Sequence, residues 1–302
     1  MIGRINRINA HRVAWATLGV AWCVATSSPA RATDVYWTGA SSNAYNTGGN
    51  WDSTFVPDGP GFAERAVIGS DKVSAALSGS AVLSANPAAQ PGGIALGLRQ
   101  RDGSGNFVNA APAPGALTGS LTISGGVVNS VTTGQALFGA DGRVLVGVDG
   151  RGYLTMTGGT LNAVSLVVAG EENADGEGRS RLDLSGNATL SVSAASPNGG
   201  ATLGRDLRVS GPNVNFTTLN RLTLASSNAY TANITSATAH SPLKTSNIAV
   251  VGGSLAVEFG GAGASHALGQ TWTLVDAQLG ITGNFNNLGP GGQVEVTGLA
   301  AP

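Results

Sequence analysis

The chain has 302 residues, 46 of them Gly, with a single Cys and only 11% charged side chains. That is about twice the usual Gly share and under half the usual charge, yet 42% hydrophobic residues exclude global disorder. Gly follows no three-residue period, which excludes collagen, and a net charge of −1 gives no basic footprint for nucleic acid.

Residues 1–32 read as a secretory signal peptide. Arg4, Arg7, His11 and Arg12 precede a mostly apolar run over residues 13–24, and Ala30-Arg31-Ala32 supplies an A-x-A cleavage site. The run is about 12 residues, short of the roughly 20 a membrane span needs. A buried N-terminal helix is the alternative. Cys23 does not suit a lipid anchor, because bulky Trp22 stands before it. Cleavage after Ala32 leaves 270 residues. It removes four Arg and no acid, so 12 basic residues face 17 acidic ones, a net charge of −5. It also removes the only Cys, and with it disulfides, thiolate nucleophiles and Cys metal sites. No later segment is long and apolar enough to cross a membrane. The expected location is secreted, extracellular or at the cell surface.

Residues 33–85 form an aromatic N-terminal cap with the first strands. Tyr36, Trp37, Tyr45, Trp51, Phe55 and Phe62 are six of the 14 aromatics that remain, separated by Asn-, Gly- and Pro-rich turns. A repeat protein needs such a terminal unit to close its core. The other reading is a glycan-binding platform on Trp37, Tyr45 and Trp51, since flat aromatic rings stack on sugars. Residues 86–116 read as a Pro/Ala/Gly-rich loop region, interrupted by Pro87, Pro91, Pro112 and Pro114, with one short strand over residues 94–98.

An internal repeat occupies residues 117–290. Gly119-Ser120-Leu121-Thr122-Ile123-Ser124-Gly125-Gly126 matches Gly152-Tyr153-Leu154-Thr155-Met156-Thr157-Gly158-Gly159, 33 residues on. Looser copies start at Arg181-Leu182-Asp183-Leu184-Ser185-Gly186 and Leu207-Arg208-Val209-Ser210-Gly211, at offsets of 28 and 25. Before each copy stands a short apolar piece ending in Gly: Leu137-Phe138-Gly139, Val144-Leu145-Val146-Gly147, Leu166-Val167-Val168-Ala169-Gly170 and Ala201-Thr202-Leu203-Gly204. Self-similarity at this spacing marks a solenoid, and the period of two within each piece makes it β. The expected fold is a right-handed parallel β-helix with Leu and Val ladders inside, Ser, Thr and Asn ladders outside, and Gly at the corners. A β-sandwich is the alternative. Residues 291–302 form a tail, truncated if the chain is a fragment.

The Leu-Thr-Ile/Met-Ser/Thr-Gly-Gly units resemble the β-strand repeats of bacterial autotransporter passengers and of exported PEP-CTERM-type repeat proteins. Tyr36-Trp37-Thr38-Gly39, Gly49-Asn50-Trp51 and Pro57-Asp58-Gly59 are similar to the start of many such proteins. Gln270-Thr271-Trp272-Thr273-Leu274-Val275-Asp276-Ala277 and Gly283-Asn284-Phe285 are similar to their closing segment. The resemblance implies a secreted parallel β-helix. The family's translocator barrel and C-terminal Pro-Glu-Pro anchor do not occur before Ala300-Ala301-Pro302.

Chemistry-bearing residues are sparse. Glu171, Asn173, Asp175 and Glu177 with Gly176 have the alternating oxygens of a calcium loop, but Leu182 stands where a bidentate carboxylate belongs; a solvated turn is the plainer reading, and no other cofactor is expected. Asp141, Asp149, Asp175 and Asp183 are the acids that a polysaccharide lyase or hydrolase would draw on, although Asp-Gly at 141 and 149 is ordinary turn chemistry. His240 and His266 lie in Ala/Ser/Gly contexts without a nucleophile elbow. Asn187, Asn215 and Asn233 open glycosylation sequons. The expected function is a structural or adhesive surface solenoid without catalytic activity, whose partners are polysaccharide or other surface proteins. The alternatives are a carbohydrate-active β-helix or a glycan-binding module.

Overall fold

A computed structural model describes residues 34–58, 64–72, 78–100, 107–109, 116–130, 142–169, 180–193, 200–261 and 270–288. Residues 1–32, and with them the signal-peptide expectation, lie outside the described set.

The described residues form three sheets. Sheet 1 has nine strands: β1 (Asp34–Tyr36), β2 (Arg65–Ile68), β4 (Gly93–Leu96), β7 (Arg143–Val146), β10 (Ser165–Val168), β13 (Gly200–Leu203), β16 (Leu222–Leu224), β19 (Ala249–Val251) and β22 (Ile281–Gly283). Sheet 2 holds β3 (Ser78–Leu83), β5 (Thr118–Ile123), β8 (Arg151–Met156), β11 (Arg181–Leu184), β14 (Asp206–Ser210), β17 (Ala229–Ile234) and β20 (Ser254–Phe259). Sheet 3 holds β6 (Val127–Ser130), β9 (Thr160–Ala163), β12 (Thr189–Val192), β15 (Asn215–Thr218), β18 (Leu243–Thr245) and β21 (Val275–Ala277). The chain visits sheets 1, 2 and 3 in turn from β4 onward, so each circuit is one coil and each coil pairs with the next.

Every strand pairing among these elements is parallel, as in β5 with β8, β10 with β13 and β12 with β15. This is the parallel β-helix, and it removes the β-sandwich, whose neighbouring strands run antiparallel. The repeat offsets are the rung register: Gly119 pairs with Gly152, Leu154 with Leu182, and Leu182 with Leu207. The apolar pieces that precede the copies are sheet 1: Val144, Leu166 and Ala201 stand in line. Leu137-Phe138-Gly139 lies outside the described residues.

Alternation decides which side chains go inside. β5, β8 and β17 each bury every second residue, because successive side chains of a strand point to opposite faces. Inward residues of all three sheets meet in one core: Val144 and Val146, Leu154 and Met156, Leu161 and Ala163. Each Leu row position is fully buried, and burial of one such side chain contributes about 1.5–3 kcal/mol.

The corner between sheets 1 and 2 needs glycine. Gly97 and Gly147 sit at φ +68° and +69°, a region costly for residues with a Cβ. Gly97 also leaves no room, since a Cβ there would run into the backbone of Arg151 on the next coil.

The solenoid starts earlier than the repeat boundary at residue 117 suggests. β1 and β2 already belong to sheet 1, and β4 crosses the loop-like stretch with all four residues buried. The sequence repeat fades there because the inward positions carry Ala66, Ile68 and Ile94 beside Leu96, a looser match to the Leu/Val pattern, while the parallel ladder persists.

Candidate functional surface

The aromatic cap is packed shut. Trp37, Tyr45 and Trp51 are 3%, 2% and 2% exposed. Trp37 and Tyr45 meet Trp51 edge-to-face at 5.0 and 5.1 Å, the geometry aromatic quadrupoles favour. The Trp51 indole N–H donates to the Tyr45 carbonyl at 2.9 Å. Asn50, fully buried, accepts from the N–H groups of Ser41 and Ser42 at 2.8 Å each and donates to the Ala44 carbonyl at 2.9 Å. Stacking on a sugar requires an open ring face, and these three rings spend theirs on one another. The platform reading of Trp37, Tyr45 and Trp51 is corrected accordingly. Burial also pushes the Tyr45 hydroxyl above the usual tyrosine range.

Of the four acids singled out for catalysis, the two among the described residues, Asp149 and Asp183, each engage another group. Asp183 lies on the outward face of β11, 2.6 Å from the Arg181 guanidinium, and its register neighbour on β14 is Arg208. Asp149 sits in the turn before β8 and accepts from the Arg99 backbone N–H at 3.3 Å. Asp141 and Asp175 lie outside the described residues, as do the calcium-loop candidates Glu171, Asn173 and Glu177. Among the described residues no group of three His, Cys, Asp or Glu is placed to hold a metal.

The outward face of sheet 2 carries opposite charges set against one another. Arg181 faces Asp206, and Asp183 faces Arg208; Arg208 reaches on to Glu258 at 2.7 Å. On the outward face of sheet 3 an uncharged row runs over four coils before Lys244 and Asp276 continue it. Asn129, Asn162, Ser191 and Thr217 stand in one row over four coils. The Asn162 amide donates to Asn129 Oδ1 at 2.7 Å and Thr217 Oγ1 lies 3.3 Å from Ser191 Oγ. This uncharged ladder is held on a rigid core and repeats at the rung spacing, about 4.8 Å.

A second polar cluster was not legible in the sequence. Asp71 and Arg99, from the turns after β2 and β4, form a buried ion pair at 3.5 Å, with side chains 4% and 13% exposed. Asp71 Oδ1 accepts the Gln100 N–H at 2.6 Å, the Asn109 amide donates to the Asp71 carbonyl at 2.9 Å, and the Arg99 guanidinium lies 3.6 Å from the Phe107 ring centroid. These contacts tie the loop stretch across the outward side of sheet 1, where Val67 and Ala95 are fully buried. Lone charges in a Pro/Ala/Gly-rich stretch carry no spacing signal that would have announced the pair.

His240 is half-buried, and neither ring nitrogen has a hydrogen-bond partner; desolvation holds its pKa below the ordinary histidine value. His266 lies outside the described residues. Among the described residues no helix is long and apolar enough to cross a membrane.

Comparison of the chain with protein-family models, with curated proteins and with solved structures gave no match.

Proposed function

We propose that the chain is a secreted or cell-surface β-solenoid with a structural or adhesive role, working by display and not by catalysis. The observation that carries this reading is the sheet 3 ladder of Asn129, Asn162, Ser191 and Thr217. Uncharged donors and acceptors at a fixed repeat suit many weak contacts made together, and linked weak contacts raise avidity without any single strong site. Hydroxyl-rich polysaccharide is the matching partner chemistry. The signal-peptide pattern of residues 1–32 and the likeness to autotransporter passengers and PEP-CTERM-type repeat proteins point to the same compartment.

The test is retention of the purified protein on a panel of plant, algal and bacterial polysaccharides. Retention is expected on at least one neutral polymer, and the double variant Asn162→Asp, Ser191→Asp is expected to lose it. Absence of retention on every polymer, on intact cells and on cell-wall fractions would overturn the adhesive reading.

A further inference from the structure

Sheet 3 presents a second outward row beside that of Asn129, Asn162, Ser191 and Thr217. Outward positions fall two residues apart on a strand, about 6.6 Å. Thr160, Thr189 and Asn215 stand in register over β9, β12 and β15, and Val127 begins the row on β6. With Asn162, Ser191 and Thr217 they make a block two side chains across and three coils long. Every side chain of the block is uncharged, carries a hydroxyl or an amide, and is half-buried or exposed. The inward residues between them, Leu161, Leu190 and Phe216, are fully buried, so the core holds the backbone beneath the block.

Much of the block's hydrogen-bonding capacity is unused. Asn162 is bonded to Asn129 and Thr217 to Ser191. Asn162 and Ser191 face each other in register without sharing a bond. Among the described residues the hydroxyls of Thr160 and Thr189 and the amide of Asn215 meet no side-chain or backbone partner. The face has two ends. At one, Asn86 Oδ1 and Gln90 Oε1 accept the N–H groups of Val127 and Asn129 at 2.8 and 2.6 Å and so cap β6. At the other, Lys244 and Asp276 take the places that follow Thr217.

We infer that this block is the contact site of the adhesive surface and that its ligand is an extended, ribbon-like neutral glycan lying along the solenoid axis. The inference rests on the display reading above and names the partner class for it. Orientation follows from the layout. Each strand has four residues and so two outward positions, whereas along the axis the same chemistry recurs at about 4.8 Å on every coil. Only a ligand parallel to the axis meets all three coils. Shape follows as well. A sugar chain with equatorial linkages is a flat ribbon with hydroxyls along both edges, and each edge serves one row. A chain with axial linkages coils away from a row after a unit or two. The block offers no ion to offset the desolvation of a charged sugar, which selects a neutral one.

Isothermal titration calorimetry of the purified full chain with cello-, xylo- and malto-oligosaccharides of increasing length tests this. Affinity for the cello- or xylo-series is expected to rise by at least about tenfold from disaccharide to hexasaccharide, because linked contacts act together, while the coiled malto-series stays flat. Thr160→Val and Thr189→Val keep the β-branched shape and remove one hydroxyl each. The double variant is expected to bind the hexasaccharide at least about tenfold more weakly, and Ser191→Ala is an independent removal from the other row. Thr231→Val, on the outward face of sheet 2, is expected to leave binding unchanged. Circular dichroism melts identify any variant that has lost its fold. Retention on polysaccharide without preference for ribbon over coil, or with full affinity in both the double variant and Ser191→Ala in their folded forms, would overturn the inference and leave the adhesive reading standing. Absence of retention on every polymer, on intact cells and on cell-wall fractions would overturn both.

Discussion

The side-chain amide of Asn287 behaves as a peptide group towards Leu255: its Oδ1 accepts the Leu255 N–H at 2.9 Å and its Nδ2 donates to the Leu255 carbonyl at 2.8 Å. The neighbouring Asn286 N–H donates to Gly253 at 2.6 Å. The chain thus meets the start of β20 at residue 286, and one amide side chain makes the next pair of bonds. Phe285 lies beside Tyr230, ring centroids 6.4 Å apart, and packs against the core.

Asn287→Ala is expected to cost about 1–3 kcal/mol, because it leaves both backbone groups of Leu255 without a partner. It also bares a strand edge, so light scattering of the variant is expected to rise on storage, where the parent stays clear. Urea denaturation supplies the first number. A variant as stable and as soluble as the parent would show that the amide does not cap the sheet.

Trp51→Ala is expected to be among the most damaging single changes. It empties a 2% exposed site that touches both Trp37 and Tyr45, and large-to-small changes of this kind cost about 3–5 kcal/mol. Polysaccharide retention by the milder Trp37→Phe is expected to equal that of the parent, because the ring is packing and not platform. Loss of retention with an unchanged melting curve would return the site to glycan binding.

Two glycines separate backbone strain from crowding. Gly280 has φ +106° with open space where a Cβ would stand, whereas Gly97 has φ +68° and the Arg151 backbone against it. Gly280→Ala therefore carries only the conformational cost, about 1–2 kcal/mol, and Gly97→Ala carries that cost plus a displaced coil. The expected order in chemical denaturation is parent, then Gly280→Ala, then Gly97→Ala clearly last.

His240 makes stability depend on pH. Its folded pKa is depressed by desolvation, so below the ordinary value of about 6.5 the unfolded chain takes up a proton that the folded chain resists. Stability is therefore expected to fall as pH drops through about 6.5 and to level off below the folded pKa. His240→Gln should remove that component of the slope between about pH 7 and about pH 5. An unchanged slope would mean that the imidazole is protonated as easily in the fold as out of it. Burial raises the Tyr45 and Tyr230 hydroxyls, which adds a loss of stability above about pH 10 for the opposite reason.

The coils were legible in the sequence because a parallel ladder repeats the same side-chain choice at every rung. Leu121, Leu154, Leu182 and Leu207 announce the register by themselves. The next rungs, Tyr230 and Leu255, were not legible, since Tyr breaks the Leu pattern while filling the same interior space. Edge closure was hidden for a deeper reason: Asn86, Gln90 and Asn287 act once each, at strand ends, and a residue used once has no period. The aromatic cap shows the third kind of gap. Its composition was plain, but packed rings and sugar-binding rings are built from the same residues, and only burial separates them.

The central claim is that this solenoid displays a surface and turns nothing over. It is tested most directly by incubating the purified protein with the polysaccharide panel and assaying new reducing ends and unsaturated uronates. The account expects none above a protein-free control, even on polymers that retain the protein. Sustained product release, abolished by changing Asp149 or Asp183 to Asn, would contradict it and make the charged side of the solenoid an active site.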